Sequence, residues 1–209
     1  MNSNIYLSPH FSLKEMTDSQ TAVKYGIANV PSEQEIENLR RLCQGTLEPL
    51  REALQLPVVI TSGFRIKALN DKLAHSSERS QHMLGQAADF YIGQSPVSGS
   101  RFATSFSLFA RDPFGVQVSG GASKVLGDLN LETGDSPVKL ETPRQRLIRA
   151  FREILTNPKI DYDQLILYPN FIHVSYVSKE RNRHNILKAR SDGKLGYGRL
   201  TRADALKIE

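Results

Sequence analysis

The segment between Ser32 and Pro57 most constrains the fold, because it predicts a long helix with one apolar face. Ser32 and Glu35 have the S-x-x-E spacing of a capping box, in which each side chain accepts a hydrogen bond from the other residue's backbone amide. Six apolar residues then recur at spacings near three and four: Ile36, Leu39, Leu42, Leu47, Leu50 and Leu54. This face must pack against another element. Pro57 ends the helix just before the apolar run 58–62, which predicts a short buried strand.

The rest of the chain predicts short strands and a second helix. Further strands are predicted at about 87–92, at 164–167 and at 171–176. The last two are separated by Tyr168-Pro169-Asn170, which is typical of a hairpin turn. The second helix begins after Thr142, and its apolar face is formed by Leu147, Ile148, Phe151, Ile154 and Leu155. A helix followed by scattered short strands predicts an α+β fold with a small, mostly antiparallel sheet packed with helices.

Length and composition predict a single domain over residues 1–209. The chain has 209 residues, of which 39% are hydrophobic and 23% are charged, as in an average soluble domain with its own core. Seven of the 14 glycines fall between 93 and 137, so we expect a Gly/Ser-rich insertion at about 93–142. Eight Lys or Arg residues against only two acidic residues lie between 178 and 202. This excess predicts a solvated basic tail at about 178–209.

Several classes of protein are excluded or disfavoured by the same data. No apolar run approaches the ~20 residues that span a bilayer, so no membrane span is expected. Residues 1–12 have no secretory signal pattern, which predicts a chain that is cytoplasmic as synthesised. The single Cys43 excludes an intrachain disulfide and a multi-cysteine zinc site. A net charge of +5 suits an anionic partner. Because no aromatic-interleaved platform or helix-turn-helix pattern is present, nucleic acid is not the expected partner.

The residue types around His82 point to metal chemistry. A catalytic zinc needs three protein donors and an open position for water. His82 and Asp89 supply two donors if the chain turns at Gly85 and Asp89 lies on the strand that follows. His173 is a third candidate on the strand 171–176, where alternation puts it on the face opposite to that of Ile172 and Val174. From spacing alone, a histidine in an apolar strand is more often a hydrogen-bonded core residue than a metal ligand, and spacing therefore favours that interpretation of His173.

The pattern Ser80-x-His82-x-x-Gly85-x-Ala87-x-Asp89, followed far downstream by a strand histidine, resembles the signature of the zinc D-alanyl-D-alanine carboxypeptidase family. That family belongs to the Hedgehog/DD-peptidase superfamily, and the similarity is to its short, C-terminal-domain-type members. Four further stretches match, at 11–16, at 47–51, at 61–65 together with 68–70, and at 163–166, and the similarity covers 7–92 and 143–190. The resemblance implies a Hedgehog/DD-peptidase-like fold and a zinc peptidase that cuts peptidoglycan stem peptides beside a D-amino acid.

The resemblance also implies roles for individual residues. His82, Asp89 and His173 hold Zn²⁺. Arg65 matches the family's arginine after Ser-Gly-Phe/Tyr and both binds substrate oxygen and stabilises the oxyanion; its alternative is a structural salt bridge. Ser80 hydrogen-bonds substrate or a neighbouring loop, with a turn-capping role as the alternative. His75 and His184 match no ligand position, so surface or structural roles are expected for them.

One departure from the family pattern concerns the general base. Relatives carry an acidic residue a few positions before the second histidine, whereas residues 167–172 contain none. Asp163 is the candidate acid, because it lies diagonally near His173 if the hairpin pairs Leu165 with His173. A one-residue slip would point Asp163 the other way, and a structural capping role is its alternative. The insertion offers four other acids: Asp112, Asp128, Glu132 and Asp135.

These observations support three functional hypotheses. The first is a zinc carboxypeptidase or endopeptidase that acts on peptidoglycan peptides as a monomer, at the bacterial wall after release or export. The second is a catalytically weak or inactive relative that keeps zinc and binds cell-wall peptide, and the missing acid motivates it. The third is a basic nucleic-acid-binding or scaffold protein, which predicts no stoichiometric zinc.

Overall fold

The computed structural model describes residues 5–73, 76–94, 141–190 and 196–209. The predicted insertion, 93–142, lies outside the described residues except at its two ends, as do its four acids and His75. The domain boundaries therefore stay a prediction. No helix in the described ranges is long and apolar enough to cross a membrane.

The chain folds as a mixed α+β structure, as predicted. Its helices are α1 (Leu13–Thr17), α2 (Gln20–Lys24), α3 (Glu33–Leu42), α4 (Glu48–Leu54), α5 (Lys67–Asn70), α6 (Pro143–Thr156) and α7 (Arg202–Leu206), with a π-helical turn at Cys43–Leu47 and a 3-10 turn at Gln81–Leu84. Its strands are β1 (Tyr6–Ser8), β2 (Phe11–Ser12), β3 (Val58–Ser62), β4 (Ala87–Ile92), β5 (Gln164–Leu167), β6 (Ile172–Ser175), β7 (Asn185–Ala189) and β8 (Tyr197–Arg199).

The two predicted helices begin where their capping residues are. Ser32 and Glu35 form both hydrogen bonds of the predicted capping box at the start of α3, and Thr142 and Gln145 do the same for α6. The first helix runs through the π-helical turn into α4 and ends at Leu54, because Gln55 takes a left-handed conformation at φ 54°. The helix thus stops slightly before Pro57, the predicted end.

Six strands form one sheet in the order β3-β4-β6-β5-β7-β8. All neighbouring pairs are antiparallel except β5 and β7, which run parallel. The predicted hairpin is therefore confirmed as β5–β6. Of the two registers left open, the structure shows the one-residue slip, because His173 lies opposite Ile166 rather than Leu165. The four residues between Leu167 and Ile172 close the turn with a hydrogen bond from the Tyr168 amide to the Phe171 carbonyl at 3.0 Å.

Strand alternation separates a core face from a site face. Ala88, Phe90, Ile172, Val174 and Leu165 are fully buried and join one hydrophobic core with the apolar sides of α3, α4 and α6. Residues of the other parity, among them Asp89, Ile166 and His173, line a cleft on the opposite face. Burial of one face thus sets which side chains the central strands present to the cleft.

The structure corrects the sequence prediction for residues 178–209. They are not a solvated basic tail, since they contribute β7 and β8 to the sheet and α7 to the core through buried Ala205. The high density of Lys and Arg hides the short apolar pattern of β7, in which only Ile186 is buried. β7 forms because β5 offers it a parallel partner, which local sequence does not encode.

Candidate metal centre

The three predicted metal ligands come together on the central strands. Asp89 on β4 lies directly opposite His173 on β6, and His82 belongs to the 3-10 turn that leads into β4. His173 Nδ1 is 2.8 Å from Asp89 Oδ1, His82 Nε2 is 3.2 Å from His173 Nδ1, and His82 Nε2 is 3.4 Å from Asp89 Oδ1. Among the described residues, this is the group of three that fits a metal ion.

The donor set fits zinc in both chemistry and spacing. Zinc takes histidine nitrogen and carboxylate oxygen at about 2.0–2.2 Å in a tetrahedral site, which puts neighbouring donors roughly 3.3 Å apart. The observed separations of 2.8 to 3.4 Å surround this value. His82 Nδ1 lies 2.7 Å from the Gly63 carbonyl, to which it donates when Nε2 is the metal ligand. The backbone thus fixes the ring of His82.

The ionisation states of these residues suit a cation. Burial lowers the pKa of His82, which keeps the imidazole neutral and able to bind metal. Burial alone would raise the pKa of Asp89, but the adjacent His82 and His173 imidazoles hold it well below its ordinary value. The carboxylate therefore stays ionised. One negative and two neutral donors leave positive charge on a bound divalent ion.

Gly85 places the turn between His82 and Asp89. It takes a left-handed conformation at φ 65°, and a Cβ there would lie 2.4 Å from the backbone oxygen of Glu35. Any other L-residue is therefore both strained and in collision with α3. The same turn is held by Asn38, whose side chain donates to the Leu84 carbonyl at 2.8 Å. Gly85 therefore allows this turn to pack closely against α3.

Arg65 lies in the same cleft, and its hydrogen bonding is that expected of a ligand-binding group. Its Nη2 donates to Ser80 Oγ at 3.3 Å, and its Nε is buried with no hydrogen-bond partner in the part of the chain that the structure describes. Within the described ranges it forms no salt bridge, so the structural salt bridge considered for it is not observed. Burial lowers the pKa of Arg65, but the guanidinium remains charged at neutral pH. Such a group gains from an anionic or carbonyl oxygen in the cleft.

Ser80 contacts Arg65 rather than a helix end. Its side chain makes no capping hydrogen bond to the 3-10 turn that follows, which was the alternative role for this serine. The contact with Nη2 holds one side of the Arg65 fork instead. Ser80 therefore stays a predicted substrate-binding residue, with a positioning effect on Arg65.

Asp163 also lines the cleft, but it is already engaged. Its Oδ1 accepts from Arg183 N at 2.9 Å and from Arg183 Nε at 2.8 Å, while its Oδ2 accepts from Gln81 Nε2 at 2.9 Å. Burial raises the pKa of Asp163, but these hydrogen bonds outweigh it and lower the pKa to about 2. A carboxylate so stabilised is a poor proton acceptor at neutral pH. Its contacts link the residue before β5 to Gln81, the residue before His82.

The replacement Asp163→Asn is expected to destabilise the protein by about 2 kcal/mol at neutral pH. Because the folded pKa of about 2 lies below the usual 3.8, the native carboxylate contributes this stability above pH 4 and loses it as the pH falls toward 2. Thermal unfolding of metal-free protein between pH 2 and 7 measures the effect. Asp71→Asn is the control, since Asp71 pairs with Lys67 at the exposed surface. If the stability of Asp163→Asn falls between pH 4 and pH 2 as steeply as that of the wild type, the assignment is contradicted.

The remaining described histidines are structural. His184 has φ 52°, and its Nε2 lies 2.7 Å from Asp161 Oδ1, so it forms part of the turn before β7. His10 pairs with the buried Glu48, which also accepts from Ser8. Neither belongs to the cleft, in agreement with the expectation for His184.

The cleft is large and basic. It has a volume of about 1050 Å³, and five arginines line it: Arg65, Arg79, Arg181, Arg183 and Arg190. Asp89 and Asp163 are its only carboxylates among the described residues. One belongs to the donor set and the other to the pair with Arg183.

Sequence reasoning missed Arg183 as a partner of Asp163, because nothing in local sequence brings the segment before β7 against the start of β5.

Comparison with known proteins gives a family match. The family model Peptidase M15 matches residues 9–112, which include Arg65, His82 and Asp89. His173 lies beyond the matched range, and the sheet brings it to the other two donors. Comparison with curated proteins and with solved structures returned no match. The match, together with the convergence of its two donors on a third from β6, places this chain in the peptidase M15 family of metal-dependent peptidases.

Proposed function

We propose that this protein is a zinc-dependent peptidase that hydrolyses peptidoglycan stem-peptide bonds next to D-amino acids, as a carboxypeptidase or an endopeptidase. The observation that carries the proposal is the convergence of His82, Asp89 and His173 donor atoms within 3.4 Å of one another, in a cleft that also holds Arg65. When bound, zinc polarises the scissile carbonyl and brings the pKa of its water near 7.

The chain's own residues supply orientation and charge. The Gly63 carbonyl holds the His82 ring, so that Nε2 is offered to the metal. Arg65 extends a planar fork of donors to the substrate oxygen on which negative charge develops, and Ser80 fixes one nitrogen of that fork. The buried Nε of Arg65 has no partner among the described residues, so this donor is available to a substrate oxygen.

The charge of the cleft supports an anionic peptide as substrate. Five arginines face two aspartates in its lining, and a peptide that ends in a free carboxylate would be drawn to this excess. Peptidoglycan stem peptides have such carboxylates. We further propose that the protein acts as a monomer at the bacterial cell wall, after release or export.

Metal-dependent turnover tests the proposal. Protein stripped with a chelator should be inactive on a D-alanyl-ended stem peptide, and one equivalent of zinc should restore activity. Mass spectrometry of digested muropeptides then identifies the bond: loss of a terminal D-alanine indicates a carboxypeptidase, and separation of cross-linked peptides indicates an endopeptidase. If zinc-loaded protein neither cleaves nor binds these peptides, the proposal is wrong.

A second candidate is a zinc-binding relative with weak or no activity that binds cell-wall peptide. The favouring observation is that neither described cleft carboxylate is free to accept a proton, since Asp163 is held by Arg183 and Gln81. This candidate predicts that the zinc-loaded protein binds the stem peptide in calorimetry and yields no product after prolonged incubation. Product formation that depends on zinc rules it out.

A further inference from the structure

The site face of the sheet continues from the metal ligands into an aromatic patch. Ile166 lies opposite His173, so Tyr168, two residues further, has the same parity and is a diagonal neighbour of His173. On the other side of β5, Ala189 of β7 pairs with Tyr197 of β8. The two tyrosines thus meet on the cleft side of the sheet, and both line the cleft.

Contacts with Phe171 and Tyr197, together with a backbone hydrogen bond, hold the Tyr168 ring. It stacks on Phe171 with a centroid distance of 4.1 Å and an interplanar angle of 13°. Tyr197 packs edge-on at 5.9 Å, and the two hydroxyl oxygens are 2.7 Å apart. The backbone amide of Tyr168 donates to the Phe171 carbonyl. A ring held in this way presents its hydroxyl from a defined position.

The Tyr168 hydroxyl belongs to the electrostatic environment of the metal centre. The charges of Asp89 and Arg65 both act on it, and all three residues line the cleft. Burial and the Tyr197 hydroxyl raise the pKa of Tyr168 far above its ordinary value, so the phenol keeps its proton. It is therefore a hydrogen-bond donor, and it does not replace the missing carboxylate base.

We propose that Tyr168 is a catalytic residue of this site, whose hydroxyl donates a hydrogen bond to the scissile-group oxygen of a bound peptide, and that Tyr197 is its positioning residue. A hydroxyl both donates and accepts. When Tyr197 donates to Tyr168, the Tyr168 proton is left for the substrate. Arg65 and Tyr168 then supply two donors to the oxygen on which charge develops, and no proton leaves either group. This inference rests on the proposed peptidase function.

Three single-hydroxyl deletions test it. Tyr168→Phe and Tyr197→Phe each remove one oxygen and keep the ring, and Tyr6→Phe is the matched control because Tyr6 is an exposed residue on β1, outside the cleft. The readouts are zinc stoichiometry, kcat and KM for a D-alanyl-ended peptide, and calorimetric affinity for a phosphinate analogue of that peptide. The phosphinate presents the tetrahedral, negatively charged group that the donors are proposed to recognise.

Tyr168→Phe is expected to bind one zinc, to lower kcat about 10²-fold with KM within a few-fold, and to weaken phosphinate binding more than peptide binding. Tyr197→Phe should give the same pattern at about one tenth of the effect, and Tyr6→Phe none. Wild-type turnover and phosphinate affinity retained in Tyr168→Phe would overturn this inference and leave the peptidase function standing. Loss of zinc from Tyr168→Phe would also overturn it. A wild-type protein that neither cleaves the peptide nor binds the phosphinate would refute the proposed function and, with it, this role.

Discussion

His173→Ala is expected to lose stoichiometric zinc while the protein keeps its fold. Two donors remain of three, and even the loss of an outer-shell partner costs about 10- to 100-fold in metal affinity. Removal of a direct ligand should therefore cost more than about 100-fold. His82→Ala should behave in the same way, with an added loss of stability because His82 is buried and bonded to Gly63.

Metal affinity is best measured by competition with a chromogenic chelator, with bound zinc counted by elemental analysis. His184→Ala is the matched control, because this histidine pairs with Asp161 outside the cleft. The melting temperature of the wild type should rise with added zinc, and that of His173→Ala should not. Retention of one tightly bound zinc by His173→Ala would remove this residue from the donor set.

Arg65→Lys is expected to lower kcat by about 10²- to 10³-fold with zinc still bound. Lysine keeps the positive charge but presents a single ammonium in place of the planar fork, so it cannot both contact Ser80 and reach the substrate oxygen as the guanidinium does. Turnover of the D-alanyl-ended peptide is the measurement, with zinc content as the check on the metal site.

Arg41→Lys serves as the control for this substitution, since Arg41 is paired with Glu37 on α3, outside the cleft. Equal kcat in Arg65→Lys and wild type would assign Arg65 to a structural role. A rise in KM with kcat unchanged would also count against transition-state stabilisation, because a donor that acts on developing charge changes kcat.

The sequence predicted those parts of the fold that depend on neighbours in the chain. The capping box at Ser32 and the cap at Thr142 set the starts of α3 and α6, and their apolar spacings set the buried faces. Alternation along β6 assigned Ile172 and Val174 to the core and His173 to the other face. Local backbone geometry and periodicity determine each of these features, so they are readable without a structure.

The metal donors depend partly on the sequence and partly on the tertiary structure. The motif around His82 and Asp89, together with the family resemblance, predicted the donor set, but the sequence pattern did not give the distances. His173 meets Asp89 because β4 and β6 pair in a register that places them directly opposite. That register follows from burial of Ala88, Phe90, Ile172 and Val174 on one face, and a one-residue slip would bury the donors instead.

Other features depend on tertiary structure alone. The turn between Leu167 and Ile172 decides the hairpin register, which the sequence left open. The parallel pairing of β5 with β7 brings Arg183 to Asp163 and Tyr197 to Tyr168. These contacts join segments 20 and 29 residues apart. Sequence by itself determined where α3, α6 and the strands β3 to β6 form, and its motif indicated the candidate donors. The packing of distant strands decided which acid pairs with an arginine and which two tyrosine hydroxyls meet in the cleft, because those outcomes depend on register and not on local preference.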